Sequence, residues 1–146
     1  MTLDGAIEKR MRDSFAAQGL MKTFGAHIAR LAPGECEIHL PFGAHVTQHH
    51  GFVHAGALTT ILDNACGLAA NTLMGPDEAA LTIEFKVNFL RPARGSLFIA
   101  RGRVRRAGKT VHVVEGELHA EHEEDRPTAL MLATMSVVSG LTLRDS

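Results

Sequence analysis

Asp63 is the only ionisable carboxylate between residues 42 and 76, and it lies inside an otherwise apolar segment. An ionised carboxylate buried without partners costs on the order of several kcal/mol, so its presence needs a reason. One reason is structural, an aspartate accepting hydrogen bonds from a sheet edge or a neighbouring chain. The other is chemical, a carboxylate kept in a mostly apolar pocket as nucleophile or general base. Just upstream stand His45, His49, His50 and His54. Their i, i+4 spacings would suit zinc on a helix, but Gly51, Val46, Thr47 and Val53 disfavour a helix there. With no Glu or Cys to complete a ligand set, no metal site is expected. A Gly-x-Ser-x-Gly elbow is also absent, which removes support for a serine nucleophile.

A second chemical feature is charge. Lys86, Arg91, Arg94, Arg101, Arg103, Arg105, Arg106 and Lys109 occupy a stretch without Asp or Glu, and Glu115, Glu117, Glu121, Glu123, Glu124 and Asp125 follow. Adjacent strands of opposite sign pair across a sheet. Alternatively, one or two of the cations serve a phosphate-bearing ligand.

The elements that must position these groups are legible in the spacing. Leu3, Ile7, Met11 and Phe15 form one helical stripe, predicting an N-terminal helix over residues 1–20. Residues 22–31 and 34–41 read as strands joined at Pro33-Gly34. Leu58, Ile61, Leu62, Ala65, Leu68, Ala69 and Leu73 then keep helical spacing through a central helix over 54–74, closed by Gly75-Pro76. A helix so apolar is buried on most sides, and Asp63 is too deep within it to be a cap. Beyond Ala79 the period becomes two, predicting strands over 81–90, 96–106, 110–121 and 128–139. The expected fold class is α+β, an antiparallel sheet of five to six strands wrapped around one long helix.

The chain has 146 residues, 45% hydrophobic and 21% charged, enough for one globular domain over 1–146. A formal charge of −1 gives no general attraction to nucleic acid. No apolar run approaches the roughly 20 residues that cross a bilayer, and no secretory signal opens the chain. Cys36 and Cys66 cannot make a disulfide framework, so a cytoplasmic location is expected.

His54-Ala55-Gly56, followed by Leu58 and Asp63, resembles the His-Gly-Gly-x-x-x-x-Leu-x-Asp signature of hotdog-fold acyl-CoA thioesterases, the phenylacetate-pathway (PaaI-type) group in particular. The resemblance continues through Leu81-Thr82-Ile83-Glu84-Phe85, Phe89-Leu90-Arg91-Pro92-Ala93 and Gly108-Lys109-Thr110, covering roughly residues 45–140. Two positions depart from it: Ala55 replaces the first Gly, and Gln48 stands where Asn is usual.

The resemblance implies hydrolysis of an acyl-CoA thioester, with no cofactor beyond the coenzyme A of the substrate. The Ala55 N–H would polarise the thioester carbonyl, assisted by the Gln48 amide and favoured by the helix N-terminus. Asp63 would attack or activate water, Thr82 would orient water or the carboxylate, and His54 would fix the loop before Gly56. Lys109, Arg105, Arg106 and Arg91 are candidates for the coenzyme A phosphates, and Phe52, Leu58 and Phe85 for the acyl pocket. Ala55 and Asp63 lie about 12 Å apart along one helix, too far to serve one carbonyl. The sites are therefore expected between two copies of a homodimer, with a homotetramer implied by family likeness. The alternative is a hotdog module that binds acyl-CoA or another ligand without turnover.

Overall fold

A computed structural model describes residues 1–141. Two short helices, α1 (Gly5–Ala16) and α2 (Gly19–Phe24), precede strands β1 (His27–Ala32) and β2 (Glu35–Pro41). The long helix α3 (Ala55–Asn71) follows, and then β3 (Glu78–Phe89), β4 (Leu97–Ala107), β5 (Val111–Ala120) and β6 (Ala129–Ser139). The strands form one six-stranded sheet in the order β1-β2-β4-β5-β6-β3, every pair antiparallel.

The expected architecture is present, with one correction near the N-terminus. Residues 22–24 end a helix instead of beginning a strand. Leu20, Met21 and Phe24 have helical spacing, Met21 is buried, and Gly25 at φ +72 closes the turn. The helix expected over 1–20 therefore breaks at Ala17-Gln18 into two. Asp4 caps α1 by accepting from the Ala6 and Ile7 amides. The central helix is shorter than expected at its C-terminal end, where Arg10 of α1 donates to the Asn71, Met74 and Gly75 carbonyls. A cation over these carbonyls satisfies groups the helix leaves unpaired and complements its negative end.

The core lies between α3 and the concave face of the sheet. Ile61, Leu62, Ala65, Cys66 and Ala69 meet Ile38, Leu40, Phe98, Ala100, Val114, Leu118, Ala133 and Met135, all fully or almost fully buried. The closest approach is made by glycine. Gly102 pairs with Gly116 across β4 and β5, and with Cys36 across β2. A Cβ at Gly102 would collide with the Ala65 carbonyl and the Cys66 amide; one at Gly116 would sit 3.0 Å from the Cys66 sulfur. Small residues on the helix, Ala65, Cys66 and Ala69, complete the fit. Burial pushes the Cys36 thiol up to about 12 and raises that of Cys66 as well, so both stay protonated.

Overpacking a close-packed site costs about 1–3 kcal/mol. Gly102→Ala is expected to lose stability at or above the upper end of that range in urea unfolding, because the obstruction is backbone. Gly19→Ala, where an added Cβ meets no described atom within 4 Å, is expected to change stability by less than about 1 kcal/mol.

Candidate active site

The N-terminus of α3 is prepared by the segment before it. Thr47 and Val53 bridge, Gly51 takes φ +85, and the Gln48 and Phe52 backbones bond to each other. His54 caps the helix: its Nδ1 accepts from the Gly56 N–H at 2.8 Å, and its carbonyl accepts from Ala57 and Leu58. With Nδ1 accepting, the His54 ring proton is placed on Nε2. The Ala55 N–H makes no hydrogen bond to any described residue. It opens into a cleft of about 360 Å³ lined by Gln48, Phe52, Leu58, Phe89 and Arg91, among others. Gln48 Oε1 is taken by the His50 amide, which leaves the Gln48 NH₂ as the donor available there.

Asp63 is the ninth residue of α3 and is half-buried. Thr82 of β3 donates to its Oδ1 at 2.8 Å. Burial raises the Asp63 carboxyl above the ordinary aspartate value, and the Thr82 hydrogen bond opposes that rise in part. Simple alternation through Leu81, Ile83 and Phe85 would turn Thr82 away from the helix. A bulge prevents this. Thr82 pairs with Met135 and Glu84 with Thr134, so Ile83 is an extra residue and the inward parity changes across it. Thr82, Phe85, Val87 and Phe89 consequently share the helix-facing side.

The basic candidates are spread over the molecule. Arg101 and Arg103 bond to Glu37 and Glu35, and Arg105, in a bulge of β4, bonds to Glu115. Opposite charges therefore do pair across strands. Lys109, in the β4–β5 turn, and Arg106 form no ion pair among the described residues. Arg91 lines the Ala55 cleft and donates to the Pro127 carbonyl at 2.5 Å. Phe89, which was not anticipated, forms part of the cleft wall, and Arg94 stacks over the ring of the lining residue Phe52 at 4.8 Å. The shared parity of Phe85 and Phe89 was the available signal for this wall residue. Phe52 and Leu58 line the cleft, whereas Phe85 lies on the strand nearer Thr82. The upstream histidines serve other ends, His45 bonding the Phe24 carbonyl; among the described residues no cluster is arranged to hold a metal ion.

Residues 50–126 match the sequence profile of the thioesterase superfamily, more than half of the chain and including both Ala55 and Asp63. The chain belongs to that superfamily. It is a thioester hydrolase with the hotdog fold. The thioesterase is similar to a thioesterase family protein of Silicibacter pomeroyi, with a TM-score of 0.88 and 44% identity, covering 92% of this chain and 99% of that one. Over 84 residues it is 36% identical to the medium/long-chain acyl-CoA thioesterase YigI of Escherichia coli, covering 49% of this chain and 54% of YigI. The E. coli PaaI protein of the phenylacetic acid degradation operon shares the fold, with a TM-score of 0.85 at 21% identity over 95% of this chain and 98% of PaaI. No described helix of the thioesterase is long and apolar enough to cross a membrane.

Because the Asp63 carboxyl is raised on folding, folding favours its protonated form. Stability is then lost as pH rises from the ordinary aspartate value through the raised one. Asp63→Asn is expected to raise Tm at pH 7, the gain disappearing in acid. In a carbon-13 NMR titration of Asp63, Thr82→Val should move the midpoint further up, because it removes the hydrogen bond that favours the ionised form.

Proposed function

We propose that this thioesterase hydrolyses acyl-CoA, in two equivalent sites that a homodimer forms from opposite halves. The observation that carries the proposal is the geometry of α3. An unpaired N–H at its tip opens into a cleft, while a raised carboxylate stands eight residues further along, about 12 Å away. Neither half serves a carbonyl alone within one chain. The acyl-CoA chemistry is supported by the similarity to YigI, a medium/long-chain acyl-CoA thioesterase; membership of the PaaI-type group rests on the motif residues alone.

The sheet margin beside Asp63 supports the pairing. β3 bonds only to β6, and Leu81, Ile83, Phe85 and Phe89 along it are exposed. An apolar, 12-residue edge strand is a template for a second chain. Antiparallel pairing of two β3 strands would carry the Ala55 tip of one chain toward Asp63 of the other. It would also gather the cations. Lys109 and Arg106 lie at the end of the sheet where β3 begins, and Arg91 lies beyond the end of β3. Lys109 and Arg106 of one subunit with Arg91 of the other would meet the coenzyme A phosphates; Arg105 would have to leave Glu115 to join them. A tetramer would join two such dimers, and the two free buried thiols suit a cytoplasmic enzyme.

In the proposed reaction the thioester oxygen accepts from the Ala55 N–H and the Gln48 amide, where the helix N-terminus favours its developing charge. Asp63 of the other subunit either attacks the carbonyl carbon or takes the proton of an attacking water. Collapse of the tetrahedral species breaks the carbon–sulfur bond, and the departing thiolate is protonated to free coenzyme A. The water route leaves the free acid, whereas direct attack leaves an acyl anhydride on Asp63 that a water then cleaves to the acid and the carboxylate. Thr82 holds the carboxylate in one orientation throughout.

Ala55 is the first helical position, where proline is accepted, and His54 already has the φ −61, ψ 136 conformation that proline requires before it. Ala55→Pro should therefore fold normally yet lower kcat by about 10²–10³, the usual loss of one oxyanion donor. Asp63→Asn should be comparably impaired. Co-refolding equal amounts of the two variants should restore about a quarter of wild-type thiol release, since half the dimers carry one intact site. No restoration would mean that both groups act within one chain, or not at all.

A further inference from the structure

Thr82 belongs to the inward-facing row His112–Met135–Thr82, which crosses β5, β6 and β3. Its hydroxyl has one proton to give and two acceptors in reach, Asp63 Oδ1 at 2.8 Å and Met135 Sδ at 3.3 Å. Met135 is fully buried, so close packing fixes its sulfur behind the hydroxyl. The bulge at Ile83 creates the arrangement, because it turns Thr82 inward directly opposite Met135. A thioether is a weak acceptor, and beside an ionised carboxylate it takes no hydrogen bond from Thr82. Its position matters when the carboxyl loses its charge.

While Asp63 is ionised it accepts, and Thr82 donates to it. On the water route of the proposed reaction Asp63 gains a proton, and a carboxylic acid has an O–H of its own to donate. Thr82 accepts that hydrogen through a lone pair once its own hydrogen has turned elsewhere. Among the described residues, Met135 Sδ is the second acceptor in reach. The turn is a rotation about the Thr82 Cβ–Oγ1 bond: no bond to hydrogen breaks at Thr82, and the proton taken from water stays on Asp63.

The titratable groups around this row leave the exchange to these three residues. Cys66 of α3 stays protonated, and burial lowers the His112 imidazole of β5, which is neutral at pH 7. Glu78 acts on His112, and Glu84 of β3 bonds to Thr134 on the opposite face of the sheet. Across the proposed dimer, His54 and Arg91 of the other subunit would face Asp63.

Resting on the acyl-CoA reading above, we infer that Met135 is a positioning residue whose sulfur takes the Thr82 hydrogen whenever Asp63 gains a proton. Thr82 thereby changes from donor to acceptor and holds the carboxyl in one orientation in both states.

The test is a carbon-13 NMR titration of Asp63 in the full-length enzyme. In parallel, kcat is followed over pH on the best of butyryl-, octanoyl- and phenylacetyl-CoA. Met135→Leu conserves volume and removes the acceptor; Met135→Ile is the second variant should Met135→Leu not fold. Without the sulfur the protonated carboxyl is less favoured, so the midpoint should fall by about half a pH unit, the effect of one weak hydrogen bond. The acidic limb of kcat should move down with it, and the plateau should drop about threefold with KM unchanged. A repacked core that merely admitted water would also lower the midpoint. The Thr82→Val background separates the two, because there Met135→Leu should leave the midpoint where Thr82→Val puts it. An equal fall in both backgrounds, an unchanged midpoint or a rise would overturn the role of the sulfur and leave acyl-CoA hydrolysis standing. No thiol release from any of the three substrates would count against the hydrolysis, while the titration would still decide the sulfur.

Discussion

Everything in this fold hangs on how near a helix can come to a sheet. The Gly102–Gly116 pair lets the backbone of α3 settle onto the strands where any Cβ would hold it off. That contact lies beside Asp63, so the depth of the helix also sets how much of the carboxylate is withdrawn from water. Burial that stabilises the core is the same burial that raises the acid. The tip of the helix is governed separately, by a loop whose bonds are nearly all spent on itself. His54 occupies the Gly56 amide and leaves the preceding one, that of Ala55, open at the cleft.

Much of this was legible in the residues. The 3.6-residue spacing of Leu58, Ile61, Leu62 and Ala65 and the change to a period of two after Ala79 lead to the helix and the strands, because burial is one-sided on each element. Asp63 stood out because apolar surroundings make a carboxylate expensive. Other features could not be read. The bulge at Ile83 leaves no mark in the alternation, since Leu81, Ile83 and Phe85 continue the apolar pattern across it. Register against β6, a tertiary matter, is what turns Thr82 inward. The helix over Gly19–Phe24 was hidden by its length: six residues can follow either period, and the glycine at its end decided it. The pairing of Arg101, Arg103 and Arg105 with glutamates depended on which strands became neighbours, and two of the three partners came from β2, far away in sequence.

The site also shows why a single side chain rarely announces its role. Gln48 differs from the residue usual at that position, yet what matters is the His50 amide that takes its oxygen and leaves its NH₂ as the remaining donor. Arg91 and Arg94 flank the same Pro92-Ala93 pair, but one is held by a carbonyl and the other by an aromatic face. Chemistry is allotted by these neighbours more than by residue type.

The two margins of the sheet are unlike. β1 is short, is interrupted by a bulge at Ala29 and carries His27 and Arg30; β3 is twice as long and studded with exposed apolar side chains. A ribbon with one adhesive and one blunt border can be spliced only once. Joining two copies along β3 would use up the adhesive border of each and leave blunt borders at both extremities, so growth by strand addition would end at a closed pair instead of running on into a fibre.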